Sequence, residues 1–266
     1  MRSNRPKPMT GDDRLSNQVC LITGASRGLG RAMAVALAKR GAWIAAAARN
    51  LNDLQETVRL IRTDGGVASA MTVDVTDETQ VQRLVQQVLD HYGRLDVLVN
   101  NAGRMAGDLA FTDITPSLWR KILATNLWGA FLCCQAVVPR MIRQGGGVIV
   151  NITSGAAVRT GFLNIPYGVS KAGLDRLTLG LSAELEQYGV ACISLSPPVS
   201  ATDTVRLMFP NKDVDAWAHP PELTARALCE LLENNPMRYT GQVVSVREYL
   251  ANRPAEVKIE SVSSHS

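Results

Sequence analysis

A chain of 266 residues with 46% hydrophobic and 20% charged side chains can bury a sizeable core, which sets aside disorder and fibrous repeats. Its 28 basic residues are scattered among 24 acidic ones, for a net charge of +4. No charge block marks a nucleic-acid surface, and no nucleic-acid partner is expected.

In chain order, residues 1–14 form a polar stretch broken by two prolines and the Asp12–Asp13 pair, expected to be a flexible tail. From Val19 short apolar runs alternate with helical patterns. VCLIT, WIAAAA, VASAMTV, LDVLVN, GVIVNI, VACISL and QVVSV predict about seven strands. Helices between nearly continuous apolar strands imply an α/β fold, a doubly wound parallel sheet covered on both faces. Thr76, Thr115-Pro116 and Pro220-Pro221 read as helix starts. One domain over 15–250 is expected, with a second flexible tail at 251–266. The apolar stretches fall short of the ~18 residues a membrane-spanning helix needs, so no span is expected. Cys20, Cys133, Cys134, Cys192 and Cys229 lack paired spacing and sit mostly in apolar runs. Buried thiols in a reducing, cytoplasmic setting are the expectation.

After the first strand comes Thr23-Gly24-Ala25-Ser26-Arg27-Gly28-Leu29-Gly30, then a helix. A glycine turn at a helix N-terminus lets backbone N–H groups approach a pyrophosphate; a plain structural turn is the alternative. At the end of the second strand, Ala47-Ala48-Arg49-Asn50 lacks the acid that would bond a ribose 2′-hydroxyl. Arg49, helped by Arg27, could instead clamp a 2′-phosphate, which favours NADP(H) over NAD(H); two solvated surface arginines are the other reading. Asp74-Val75 and Asn101-Ala102-Gly103 follow the third and fourth strands, at strand ends where a cofactor would lie. Capping the next helix is the alternative reading of Asp74.

Tyr167-Gly168-Val169-Ser170-Lys171 puts a phenol and an ammonium one helical turn apart. Free tyrosine, with a pKa near ~10, is a poor acid/base at neutral pH, and a neighbouring ammonium lowers that value. Ser154, just past the fifth strand, could hold a substrate oxygen within reach of Tyr167, or simply cap a loop. Asn126, polar within an apolar helix, could hold a water linking Lys171 to solvent or bond the nearby backbone.

TGASRGLG, NNAG, Asn126, Ser154 and YGVSK, in this order, resemble the short-chain dehydrogenase/reductase family over roughly residues 17–246. The resemblance implies a Rossmann-type fold with Tyr167 as acid/base and Lys171 holding the nicotinamide ribose and lowering the tyrosine pKa. It gives Ser154 the task of orienting substrate and makes Asn126 part of a proton relay. It also implies Arg27 and Arg49 as an NADP signature, Asp74 and Val75 beside the adenine, and a homodimer or homotetramer. Pro197, Val199 and Thr202 join the expected cofactor contacts. Pro198, where the family commonly has glycine, alters the nicotinamide loop. The chain's end somewhat resembles the hydroxysteroid-dehydrogenase-like subgroup. The expected activity is hydride transfer between NADP(H) and a carbonyl or secondary alcohol carbon of a lipophilic small molecule. Met105, Phe162, Leu163 and the segment 203–219 would line its pocket. A 3-oxoacyl-thioester reductase and a non-catalytic NADP(H)-binding regulator are the alternatives.

Overall fold

β1 (Val19–Thr23) is apolar at its first four positions and buried throughout, as a strand covered on both faces must be. The computed structural model describes residues 15–107, 109–159 and 165–252. The tail expected at 1–14, nearly all of that at 251–266, and Phe162 and Leu163 lie outside the described residues.

Chain order continues with α1 (Gly28–Ala38), β2 (Trp43–Ala48), α2 (Leu51–Thr63), β3 (Val67–Thr72), α3 (Glu78–Tyr92) and β4 (Val97–Asn100). Next come α4 (Pro116–Leu123), a π-helical turn (Ala124–Trp128), α5 (Gly129–Gln144), β5 (Gly147–Ile152), α6 (Ile165–Leu185) and β6 (Val190–Ser196). The chain closes with α7 (Asp203–Met208), α8 (Pro221–Glu233), β7 (Val243–Ser245) and α9 (Val246–Ala251). The seven strands form one parallel sheet in the order β3-β2-β1-β4-β5-β6-β7. The fold is thus the doubly wound Rossmann type. The winding reverses between β1 and β4, which opens a crevice beyond the strand C-termini.

One face buries Met33 and Leu37 of α1, Leu54 and Ile61 of α2, and Leu228 and Leu231 of α8. The other buries Leu84 and Val88 of α3 with Cys133, Val137 and Met141 of α5. All five cysteines are buried free thiols.

Three sequence expectations shift. The cap of α3 is Asp77, whose carboxylate accepts from the Gln80 N–H at 3.0 Å; the Thr76 hydroxyl is turned back to donate to Asp74 Oδ1 at 2.8 Å. The last strand is three residues long, because the Ser245 hydroxyl caps α9 by accepting from the Glu248 N–H. Finally, α4, the π turn and α5 run as one helix, Pro116–Gln144, with an 18-residue stretch of mean hydropathy 1.5. By length and composition this helix could cross a membrane, against the expectation that no stretch would. Its apolar side packs on β4, β5 and α3.

Candidate active site

The glycine turn is shaped by its own packing. Gly24 and Gly28 have φ of +66° and +55°, where only glycine sits without strain. A Cβ on Gly30 would stand 2.8 Å from the Gly24 carbonyl carbon and 2.6 Å from Asn101 Nδ2, so α1 leans directly on the turn. Arg31 donates to the Ser26 carbonyl and, at 3.0 Å, to Thr57 Oγ1, which donates to the Ala25 carbonyl at 2.9 Å. From the other side Asn101 Nδ2 donates to the Thr23 and Gly24 carbonyls at 2.9 and 3.2 Å. Thr23 Oγ1 accepts from the N–H groups of Asn101 and Ala102. The amide of Asn101 thus braces the turn.

These elements bound a cleft of about 730 Å³. It is lined by the glycine turn from Gly24 to Gly30, by Arg49, Asn50, Asp74 and Val75, and by Asn101, Ala102 and Gly103. Met105, Ser154, Tyr167, Lys171, Pro197, Val199 and Thr202 complete the expected set that it gathers. Asn126 is the described exception, lying buried beside it.

A dinucleotide fits what the cleft offers. α2, α3 and α4 each have a side-chain cap from Asn50, Asp77 and Thr115. α1 has none, its N-cap being Arg27, so its first-turn N–H groups are open toward the cleft, as anion binding at a helix end requires. Arg27 and Arg49 stand exposed at that end, with the carboxylates of Asp53 and Asp74 also on the wall. Asn50 spends its side-chain oxygen on capping α2. Asp74 folds onto Thr76 in a local turn and does not cap the helix.

At the far end of the cleft, β5 and α6 meet. The Ser154 hydroxyl stands beside the Tyr167 phenol, whose pKa it lowers, and Ser154 Oγ accepts from the Ala156 N–H at 3.2 Å, so the serine caps its own turn at the mouth of the cleft. Lys171 is buried and donates from Nζ to the Ile152 carbonyl at 2.7 Å, with Nζ 5.7 Å from the Tyr167 ring centroid. Burial pushes the Tyr167 phenol up to about 12, with the Ser154 hydroxyl pulling the other way. Burial also lowers Lys171 to about 8, opposed by the charge of Asp175. The fall expected for Tyr167 is therefore not produced by the protein alone, because desolvation outweighs an ammonium engaged elsewhere.

Asn126, in the π turn, uses its side chain on protein partners. Oδ1 accepts from the Arg104 N–H at 2.7 Å, and Nδ2 donates to the Arg104 carbonyl and to Ser170 Oγ at 3.0 and 2.9 Å. It thereby fixes the strand-β4 loop against α6. Beyond β6, Ser200 pairs with His219 as a parallel bridge, and Thr202 Oγ1 accepts from the Val205 N–H as the cap of α7. A Cβ on Gly28 would lie 3.3 Å from Thr202 Cγ2, so this loop closes over the glycine turn despite Pro198.

Sequence reasoning missed Asp53, Thr125, Thr153 and Arg159 on the cleft wall, and Asp175, one turn beyond Lys171. Burial raises the Asp175 carboxyl, opposed by the neighbouring Thr153 and Ser194 hydroxyls and by the charge of Lys171. The i, i+4 spacing from Tyr167 through Lys171 to Asp175 was the available signal; the others carry none.

A family model described as short chain dehydrogenase matches residues 18–213. The chain is 32% identical over 252 residues to mouse dehydrogenase/reductase SDR family member 1, covering 86% of this chain and 80% of that one. It is 34% identical over 248 residues to D-threitol dehydrogenase of Mycolicibacterium smegmatis, covering 92% and 89%. A variant of actinorhodin polyketide ketoreductase, solved with NADPH, superposes with a TM-score of 0.82 at 30% identity, covering 90% and 99%.

Proposed function

Since this chain belongs to the short-chain dehydrogenase/reductase family and is an oxidoreductase, we propose that it reduces a carbonyl of a lipophilic small molecule with NADPH, reversibly toward the secondary alcohol. The observation that carries this reading is the convergence of Ser154, Tyr167 and Lys171 on the cleft that the glycine turn opens. The glycine turn and the free N–H groups of α1 would hold the pyrophosphate, Arg27 and Arg49 the 2′-phosphate, and Lys171 the ribose. When bound, the cofactor supplies or accepts the hydride.

The chain's own residues do the rest. Tyr167, with a pKa near 12, is protonated at neutral pH and gives its proton to the carbonyl oxygen. Ser154, beside Tyr167, turns its hydroxyl to that same oxygen and aligns it. Lys171, charged at neutral pH at its lowered value of about 8, stabilises the phenolate left behind. Val205, Met208 and Phe209 give the substrate end its apolar wall, which keeps water from the reacting groups.

By the same reading the enzyme is a homodimer or homotetramer, checked by sedimentation. The deciding experiment follows NADPH consumption over ketones, aldehydes, steroids and β-ketoacyl thioesters. Turnover of an apolar carbonyl compound supports the reading; no consumption with any class, while NADPH binds, would turn it into a cofactor-binding regulator.

A further inference from the structure

Charge on the described cleft wall falls in two groups. Arg27, Arg49, Asp53 and Asp74 lie around the ends of β1 to β3, at the nucleotide end. Lys171 and Arg159 lie at the β5–α6 end, which carries no carboxylate among the described lining residues. Lys171 is buried and committed to the Ile152 carbonyl. Arg159 differs: the residue is exposed, and among the described residues no ion pair or side-chain hydrogen bond engages it.

The placement of Arg159 is specific. A short helical turn after Ser154 is closed by the Arg159 N–H donating to the Gly155 carbonyl at 2.9 Å. Its side chain then folds back over that glycine, with Cδ 3.9 Å from where a Gly155 Cβ would be. The stem thus lies along the turn that presents Ser154, and the charge is carried on the wall of the substrate end.

Resting on the reductase reading above, we propose that Arg159 forms an anion subsite, and that the substrate is an amphiphile, an apolar carbonyl compound bearing a carboxylate or phosphate group. An uncommitted guanidinium offers paired N–H donors matched to either anion, and among the described residues no acid pairs with it. The apolar residues Met208 and Phe209 take the hydrocarbon part, so orientation comes from the charged end and alignment from Ser154.

The test uses the full chain with NADPH and ketones of graded chain length, each as the free carboxylate, its methyl ester and the corresponding phosphate monoester. The expected result is a preference for an anionic form over its ester of about tenfold or more in kcat/KM, carried by KM, as for a charge-assisted contact. The better of the two anions identifies the group. In Arg159→Ala that ratio should fall to near one, in Arg159→Lys survive in part, and in Arg159→Glu invert. Equal use of acids and esters by the wild type, or a preference that persists in Arg159→Ala, would overturn the subsite while leaving the reductase reading standing. NADPH consumption with none of these compounds, but with other carbonyls, also overturns it; consumption with no carbonyl compound at all refutes both.

Discussion

The chemistry of a single side chain is most exposed at Tyr167. Removing its hydroxyl in Tyr167→Phe keeps the ring that packs with Ile122 and Ala156. The variant is expected to bind NADPH normally and to lose at least ~10²-fold in turnover, the lower range for a positioned proton donor; single-turnover kinetics and cofactor titration separate the two. Asp175 sets a pH dependence. Its charge is what holds Lys171 up against burial, so in Asp175→Asn the lysine titrates lower. The alkaline limb of the rate profile then moves to lower pH, and an unmoved limb contradicts the coupling. Because folding lowers the lysine to about 8, the unfolded chain holds more protons above that pH. Stability at this site therefore rises with pH between there and the ordinary lysine value. On the proposed reading Arg49→Asp puts a repelling carboxylate where a 2′-phosphate would lie, and NADPH affinity should fall relative to NADH by about tenfold or more in parallel titrations. Tyr167, Lys171 and Ser154 were legible as residues because spacing and strand ends announce them. The burial that sets their pKa values is a property of the fold around them and left no mark in the spacing.

Elements were legible where periodicity is strong. Each of the seven strands was read at or within two residues of its place, since buried parallel strands are nearly pure apolar runs. The errors came at punctuation. Two neighbouring residues, Thr76 and Asp77, could each cap α3, and only the turn made by Asp74 decides between them. The π turn escaped entirely, because an extra residue in a helix shifts later side chains by about 100° without altering composition. The glycine turn was found, though with an incomplete reason. At Gly30 the space is taken by the Gly24 backbone and Asn101, so the residue supports the turn from behind. Gly30→Ala is therefore expected to destabilise the protein by ~1–3 kcal/mol through overpacking and to weaken NADPH binding as the turn shifts. Denaturant melts with and without NADPH check both effects; unchanged stability would place the constraint on the ligand side instead.

Across the whole molecule, two distant parts of the chain are joined by Arg40, which donates to both oxygens of the Glu233 carboxylate at 2.6 and 2.8 Å. The side chain of Glu233 is only 6% exposed, so Arg40→Ala would strand a carboxylate beneath α1 and α8. A loss of ~1.5–3 kcal/mol is expected, read as a lower Tm in thermal melts; a change near zero would mean that water replaces the guanidinium. This pairing, between residues 193 apart in sequence, had no local signal to reveal it. The parallel sheet has a consequence for handling the protein. Since the strands from β1 to β6 end at the cleft, the passages returning to them deliver the chain to the opposite rim, and that rim is a place to work without touching the chemistry. At Gly65 and Gly145, in the turns leading into β3 and β5, a side chain would meet nothing within 4 Å. A peptide tag or fluorophore attached beside either glycine, with the glycine itself kept because its φ is +82° or +76°, is therefore a handle for immobilising the enzyme with its cleft facing outward.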